Sequence, residues 1–220
     1  MNHSHNATSR RYGEALAWAE QLHRHQRRKG KDVPYISHLI AVSALVWEDG
    51  GTEDQAIAAL LHDAIEDAGQ SHTGIAERFG EVVADIVRDC TDCGEGREFI
   101  GKEPWLVRKA RFLASLPQLA QPSLLVIAAD KAHNASDMVV DASSDPRIWS
   151  RFTAGLEGSA WYLLRLHQQL RLQLPNSRSV DQLARAVGEI LASDAYQSFV
   201  PDGIAAAVWA ASYVERQAVE

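Results

Sequence analysis

Residues 52–67 read TEDQAIAALLHDAIED and combine a helix start with an unusual cluster of ionisable side chains. Thr52 followed by Gln55 matches a capping box, in which each side chain accepts a hydrogen bond from the other residue's backbone amide. Apolar residues then recur at helical spacing, which predicts a helix over 56–67. Residues four apart share one face of a helix, so His62 would lie beside Glu66 and Asp63 beside Asp67.

The cluster contains three carboxylates and an imidazole but no basic residue. Solvated surfaces usually mix lysine with acidic residues, and burying these groups without a cation would be unfavourable. A bound divalent metal ion resolves the conflict. His38 and Asp130 are further candidate ligands, because Asp130 interrupts the apolar stretch 124–132. Taken singly, each has a simpler interpretation, as a core histidine and as a capping or salt-bridged acid.

The remaining chain has helical periodicity and no convincing strand or repeat, so we predict an all-α, single-domain helical bundle. Ser37 and Ser123 are plausible N-caps. We expect a flexible tail over 1–7, one domain over 8–174, a loop over 93–103, and a helical extension over 175–220 packed on the same domain. The predicted helices span 8–29, 38–48, 56–67, 73–79, 81–90, 104–116, 123–140, 147–156, 160–172, 180–192 and 204–216.

Composition limits the classes of protein to which this chain can belong. The 220 residues are 46% hydrophobic and 23% charged, which is typical of a globular domain. A formal net charge of −7 argues against a general nucleic-acid binder but permits an anionic small substrate. No apolar run approaches the roughly 18 residues of a membrane helix, and no secretory signal is evident, so we expect a cytoplasmic protein. Cys90 and Cys93 lack a second pair of ligands, and we interpret both as structural.

Five ordered sequence blocks resemble the HD-domain phosphohydrolases, in particular the hydrolase domains of RelA/SpoT proteins and the stand-alone small alarmone hydrolases, including the metazoan SpoT homologues. The blocks are QRRKG at 26–30, PYISH at 34–38, ALLHDAIED at 59–67, RFGEVV at 78–83 and ADKAHN at 129–134. The HD dipeptide alone is a weak signal, whereas five blocks in order are specific. The resemblance implies an all-α HD-type bundle.

The resemblance also implies residue roles. The family's metal ligands correspond to His38, His62, Asp63 and Asp130. Its acidic pair, which positions and activates the attacking water, corresponds to Glu66 and Asp67. Its nucleotide-binding positions correspond to Arg28, Lys29, Lys131, Asn134 and Asp137. From the sequence alone, Arg28 and Lys29 could equally belong to a solvated basic helix end. Some relatives have a hydroxyl residue at the position of Asp137, and many have a basic residue near that of Leu156, so this chain departs from them at both.

The resemblance predicts a metal-dependent (p)ppGpp 3′-pyrophosphohydrolase, an enzyme of the stringent response that releases pyrophosphate and GDP or GTP. Imidazole and carboxylate ligands without thiolate favour Mn²⁺ as the single ion. The alternatives are an HD phosphohydrolase acting on another nucleotide or phosphoester, such as an NADPH phosphatase, and a non-catalytic nucleotide-binding protein. We expect a nucleotide as the partner, neither nucleic acid nor a membrane, and a monomer or homodimer.

Overall fold

A computed structural model describes residues 8–91 and 103–217. The predicted tail over 1–7, Cys93 and nearly all of the predicted 93–103 loop lie outside these residues. Within them, every regular element is helical, and the β-structure is limited to an isolated bridge between Arg27 and Pro34. The all-α prediction is therefore confirmed. The chain divides into two compact units, Met1–Thr91 and Asp92–Glu220.

The first unit surrounds a short central helix that is buried over most of its length. Its six helices are α1 (Arg10–Leu22), α2 (Ile36–Glu48), α3 (Glu53–Leu61), α4 (Ala64–Ala68), α5 (His72–Phe79) and α6 (Glu81–Cys90). Residues 55–61 of α3 are all buried, and this helix packs against α1, α2 and α6. The predicted capping box is present, because Thr52 and Gln55 each accept from the other's backbone amide. The capping box therefore fixes where the central helix begins.

Helix α1 ends earlier than predicted, at Leu22 rather than residue 29. The chain then turns back on itself: the Arg28 amide donates to the Val33 carbonyl at 2.9 Å, and the Tyr35 amide donates to the Gln26 carbonyl at 3.1 Å. These bonds surround the Arg27–Pro34 bridge. The basic residues of this segment therefore lie on an ordered loop instead of a helix end.

The second unit is built around two long helices. Its helices are α7 (Trp105–Ser115), α8 (Gln121–Ser144), α9 (Gly155–Gln173), α10 (Arg178–Ala192), α11 (Asp194–Gln197), α12 (Ala206–Ala211) and α13 (Tyr213–Gln217), with 3₁₀ turns at Leu116–Gln118 and Pro146–Arg151. Helix α10 packs against both α8 and α9. No helix in the described ranges combines the length and the apolar character needed to cross a membrane.

Further boundaries differ from the predictions. Ser37 and Ser123 each lie inside the first turn of a helix, and the Ser37 hydroxyl donates to the Pro34 carbonyl at 2.8 Å. The predicted helix over 147–156 is largely a 3₁₀ turn ending at Arg151. The predicted 204–216 helix is interrupted at Ser212.

Candidate metal centre

His62 and Asp63 lie at a junction between two helices, so the predicted continuous helix over 56–67 is wrong. Helix α3 ends at Leu61, and α4 begins at Ala64. Asp63 has φ −100° and ψ 5°, outside the helical region. The Asp67 amide still donates to the Asp63 carbonyl at 2.8 Å. The junction places the His–Asp pair where two helix ends meet.

The hydrogen bond made by His62 determines which ring nitrogen carries a proton. Its Nδ1 lies 2.8 Å from the Ala59 carbonyl oxygen, which can only accept. Nδ1 is therefore protonated, and Nε2 presents its lone pair in the neutral ring. A backbone carbonyl that fixes the opposite nitrogen in this way is the usual support of a metal-binding histidine.

His62 Nε2 faces a carboxylate oxygen, Oδ2 of Asp63, at 3.0 Å. A lone pair and an anionic oxygen repel at this separation, and a metal cation bound to both atoms would remove that repulsion. The donor set of the first unit thus fits a divalent metal ion.

His38 and Tyr35 complete this part of the site. His38 lies in the first turn of α2, is fully buried, and has its ring centroid 5.2 Å from that of His62 in an edge-to-face arrangement. The Tyr35 ring lies 5.4 Å from the His38 ring, and its hydroxyl donates to Oδ2 of Asp63. The first unit therefore brings together three of the four predicted ligands and adds a tyrosine that orients one of them.

Asp130 lies on α8 in the second unit. It is 5% exposed, and both of its carboxylate oxygens are engaged: Lys131 Nζ lies 2.5 Å from Oδ2, and the Asn134 amide donates to Oδ1 at 2.5 Å. Like His38 and His62, it is buried and offers an atom that can bind a metal ion. Lys131 and Asn134, predicted to contact the nucleotide, both contact this carboxylate. Asp137 lies further along the same helix and is half-buried.

The predicted acidic pair follows the junction directly. Glu66 and Asp67 lie on α4, and both are exposed. The Gln26 amide donates to Oδ2 of Asp67 at 2.7 Å, which connects the loop after α1 to α4. An exposed carboxylate held at one oxygen is suited to accept a proton from water or to position it.

The predicted basic pair lies on the loop after α1. The Arg28 guanidinium lies 5.8 Å from the centre of the Tyr35 ring, within the range of a cation–π contact. Lys29 is exposed. Arg28 therefore lies beside the tyrosine whose hydroxyl donates to Asp63, and nucleotide binding by Arg28 and Lys29 stays a prediction.

Two residues were given no role by the sequence analysis. Tyr35 and Gln26 belong to the PYISH and QRRKG blocks, but neither is one of the histidine, acidic or basic residue types from which candidate ligands and bases were chosen. Their position inside blocks shared with a known family was the available signal. Their hydrogen bonds to Asp63 and Asp67 depend on tertiary structure, which the spacing of residues does not reveal.

The first unit thus combines a helical fold with a histidine–aspartate pair at a helix junction and a second buried histidine, an arrangement that could bind a metal ion. A family model described as HD domain matches residues 15–154. The chain belongs to the HD-domain family, and the resemblance inferred from the sequence blocks is confirmed.

Individual relatives agree with this assignment. Guanosine-3′,5′-bis(diphosphate) 3′-pyrophosphohydrolase MESH1 of Xenopus tropicalis is 35% identical over 128 residues, which cover 57% of this chain and 68% of the relative. The Drosophila melanogaster MESH1 is 31% identical over 149 residues, which cover 65% of this chain and 76% of the relative. The solved structure of a metazoan ortholog of SpoT that hydrolyses ppGpp is 26% identical, with a TM-score of 0.67, and covers 84% of this chain and 97% of that one.

Proposed function

We propose that this protein is a metal-dependent (p)ppGpp 3′-pyrophosphohydrolase. The observation that carries the proposal is the orientation of His62, whose Nδ1 is committed to the Ala59 carbonyl and whose Nε2 faces Asp63. Its support from relatives is that the MESH1 proteins, named for this activity, are similar over most of their own length. We further propose that residues 8–174 form the hydrolase domain and that 175–220 form its helical extension.

His38, His62, Asp63 and Asp130 would hold one divalent ion, and their nitrogen and oxygen donors suit Mn²⁺. When bound, the ion supplies positive charge to phosphate oxygens and lowers the pKa of a water molecule toward neutrality. Lys131 and Asn134 hold the Asp130 carboxylate, each through one oxygen. Each carboxylate oxygen has a second lone pair that can face the ion.

The remaining residues bind the substrate and move protons. Arg28 and Lys29 would contact the nucleotide, with the planar guanidinium against the base and the ammonium toward phosphate. Glu66 accepts a proton from the attacking water, and Asp67 holds that water or delivers a proton to the leaving oxygen. The water oxygen bonds to the phosphorus that is attached to the 3′ oxygen. The bond from that phosphorus to the 3′ oxygen then breaks. The 3′ oxygen takes up the proton, so ppGpp and water become GDP and pyrophosphate, and pppGpp gives GTP.

A substrate panel tests the proposal. Protein stripped with a chelator and reloaded with Mn²⁺ is given ppGpp, pppGpp or NADPH, and pyrophosphate and single phosphate are measured separately. We expect pyrophosphate release from both alarmones, none before metal is added, and much slower phosphate release from NADPH. Faster hydrolysis of NADPH would favour the phosphatase alternative. Nucleotide binding without any turnover would favour the non-catalytic one.

A matched pair of histidine variants tests the site. His62→Ala removes the proposed ligand, and we expect at least a 10³-fold loss of turnover together with loss of bound metal. His167→Ala is the control, because His167 lies on α9 and belongs to neither group of possible metal ligands among the described residues. Retention of metal and turnover by the His62 variant would contradict the assignment.

A further inference from the structure

A hydrogen-bonded chain of three side chains runs from the end of α1 to Asp67 of the acidic pair. His23 Nδ1 lies 2.6 Å from Oε1 of Gln26, and Gln26 Nε2 donates to Oδ2 of Asp67 at 2.7 Å. An ionised carboxylate only accepts, so the amide nitrogen of Gln26 must face Asp67 and its oxygen must face His23. His23 therefore donates from Nδ1. Each bond in the chain fixes the direction of the next.

His23 forms a rigid end to this chain. Its side chain is 2% exposed, and its ring lies 5.3 Å from the Tyr35 ring. Among the described residues, its buried Nε2 has no hydrogen-bond partner. A buried, stacked ring whose single proton points at Gln26 gives the amide one favourable orientation.

The backbone of Gln26 is fixed as well. Its amide donates to the His23 carbonyl at 3.0 Å, and its carbonyl accepts from the Tyr35 amide at 3.1 Å. The side chain is therefore attached to the ordered loop that carries Arg28 and Lys29. Asp67, in contrast, is exposed and lies on a helix of only five residues.

We propose that Gln26, oriented by His23, is a positioning residue that holds the Asp67 carboxylate and ties it to the substrate-binding loop. The inference deepens the proposed function and rests on it for the role of Asp67. Oδ2 is occupied by Gln26, and within the described part of the chain Oδ1 accepts no hydrogen bond. The hydrogen bond from Gln26 therefore leaves Oδ1 facing water and restricts the rotamers of the exposed Asp67 side chain.

Gln26→Leu tests the proposal, with Gln21→Leu as the matched control on the exposed side of α1. Misplacing a group near the reacting atoms costs up to about 100-fold in rate. We expect Gln26→Leu to lower kcat by roughly 10- to 100-fold while KM changes less than about 3-fold, and Gln21→Leu to change neither. If Gln26 had a merely structural role, Gln26→Leu would lower stability or raise KM without a selective loss of kcat. An unchanged kcat in Gln26→Leu would overturn the proposal.

A double variant that exchanges the amide and the carboxylate of Gln26 and Asp67 separates the effect of their hydrogen bond from the catalytic effect of the Asp67 carboxylate. Gln26→Glu alone places two carboxylates together, and we expect it to lower Tm by about 2–6 °C. Adding Asp67→Asn lets the new amide donate to Glu at position 26, which still accepts from His23. We expect Tm to recover but kcat to stay low, because the Asp67 carboxylate is gone. Failure of Tm to recover would count against the hydrogen-bonded chain.

The ring nitrogens of His23 give a readout that does not depend on activity. Two-bond ¹H–¹⁵N correlation spectra should show the Nδ1–H form in the wild-type protein and in Gln21→Leu, and a changed pattern in Gln26→Leu. An Nε2–H form of His23 in the wild-type protein would contradict the hydrogen-bonded chain from His23 through Gln26 to Asp67. If the wild-type protein hydrolysed no nucleotide yet showed the Nδ1–H form, the proposed function would fail while the positioning geometry stood.

Discussion

Replacing Tyr35 by phenylalanine removes one hydroxyl from the candidate metal centre and leaves the ring in place. The hydroxyl donates to Oδ2 of Asp63, and the ring centroid lies 5.3 Å from that of His23 and 5.4 Å from that of His38. Phenylalanine preserves both ring contacts. The variant therefore isolates a single hydrogen bond to a carboxylate.

The expected effect follows from the charge of that carboxylate. A hydrogen bond to a charged group contributes about 1.5–3 kcal/mol. Loss of a group that orients a metal ligand typically weakens metal binding by about 10- to 100-fold. We therefore expect the Kd for Mn²⁺ to rise by about 10- to 100-fold in Tyr35→Phe, which corresponds to about 1.4–2.7 kcal/mol.

Tyr12→Phe is the matched control. The Tyr12 hydroxyl bonds to the Ser43 hydroxyl at 2.8 Å, and Ser43 keeps its own bond to the Ala56 carbonyl at 2.9 Å when Tyr12 is changed. The Tyr12 ring also retains its edge-to-face contact with Trp47. We expect a loss of stability of about 0.5–1.5 kcal/mol and no change in metal affinity.

Calorimetric titration of chelator-treated protein with Mn²⁺ measures both affinities, and turnover measured against Mn²⁺ concentration checks them. Saturating Mn²⁺ should restore most of the turnover of Tyr35→Phe, because the other ligands remain. Wild-type metal affinity in Tyr35→Phe, or equal weakening in Tyr12→Phe, would refute the argument that Tyr35 acts through Asp63.

Two further predictions concern the second unit. Burial raises the pKa of the Tyr196 hydroxyl from 10 to about 12, so stability should be complete below pH 10 and fall as pH rises, by about 1.4 kcal/mol at pH 11. Urea unfolding of Tyr196→Phe should lack this alkaline loss, and an identical pH profile would contradict the assignment. Arg216 pairs with Glu157 at 2.9 Å and stacks 3.7 Å from the centre of the Trp209 ring. Arg216→Ala should lower the free energy of unfolding by about 1–2 kcal/mol and leave Mn²⁺ affinity unchanged, and a double-mutant cycle with Glu157→Gln should return less than the sum of the two single losses.

The fold class could be predicted from the sequence because helical periodicity is a local signal. Thr52 and Gln55 marked the start of α3 correctly, since a capping box depends on residues three apart. The end of α1 could not be predicted in the same way. Residues 23–29 contain no proline or glycine that would mark an earlier end, whereas the bridge between Arg27 and Pro34 and the hydrogen bonds around it depend on how the chain returns.

The candidate site was predicted residue by residue but not in its local geometry. The pairing of His62 with Glu66 and of Asp63 with Asp67 assumed an unbroken helix, and the chain leaves helical geometry at Asp63. Propensity gives little warning of this junction, because Leu61, Ala64 and Ile65 all tolerate a helix. The His62 side chain bonds to the Ala59 carbonyl, which in an unbroken helix would accept from the amide four residues later.

Helix ends explain why the site forms where it does. In the first unit, His38 lies in the opening turn of α2, His62 follows α3, and Asp63 precedes α4. Helix ends expose backbone groups that lack intrahelical partners, and the Ala59 carbonyl is such a group, used here to orient an imidazole. The break at His62–Asp63 therefore belongs to the candidate metal centre, where the imidazole proton is held on Nδ1 and Nε2 faces the Asp63 carboxylate.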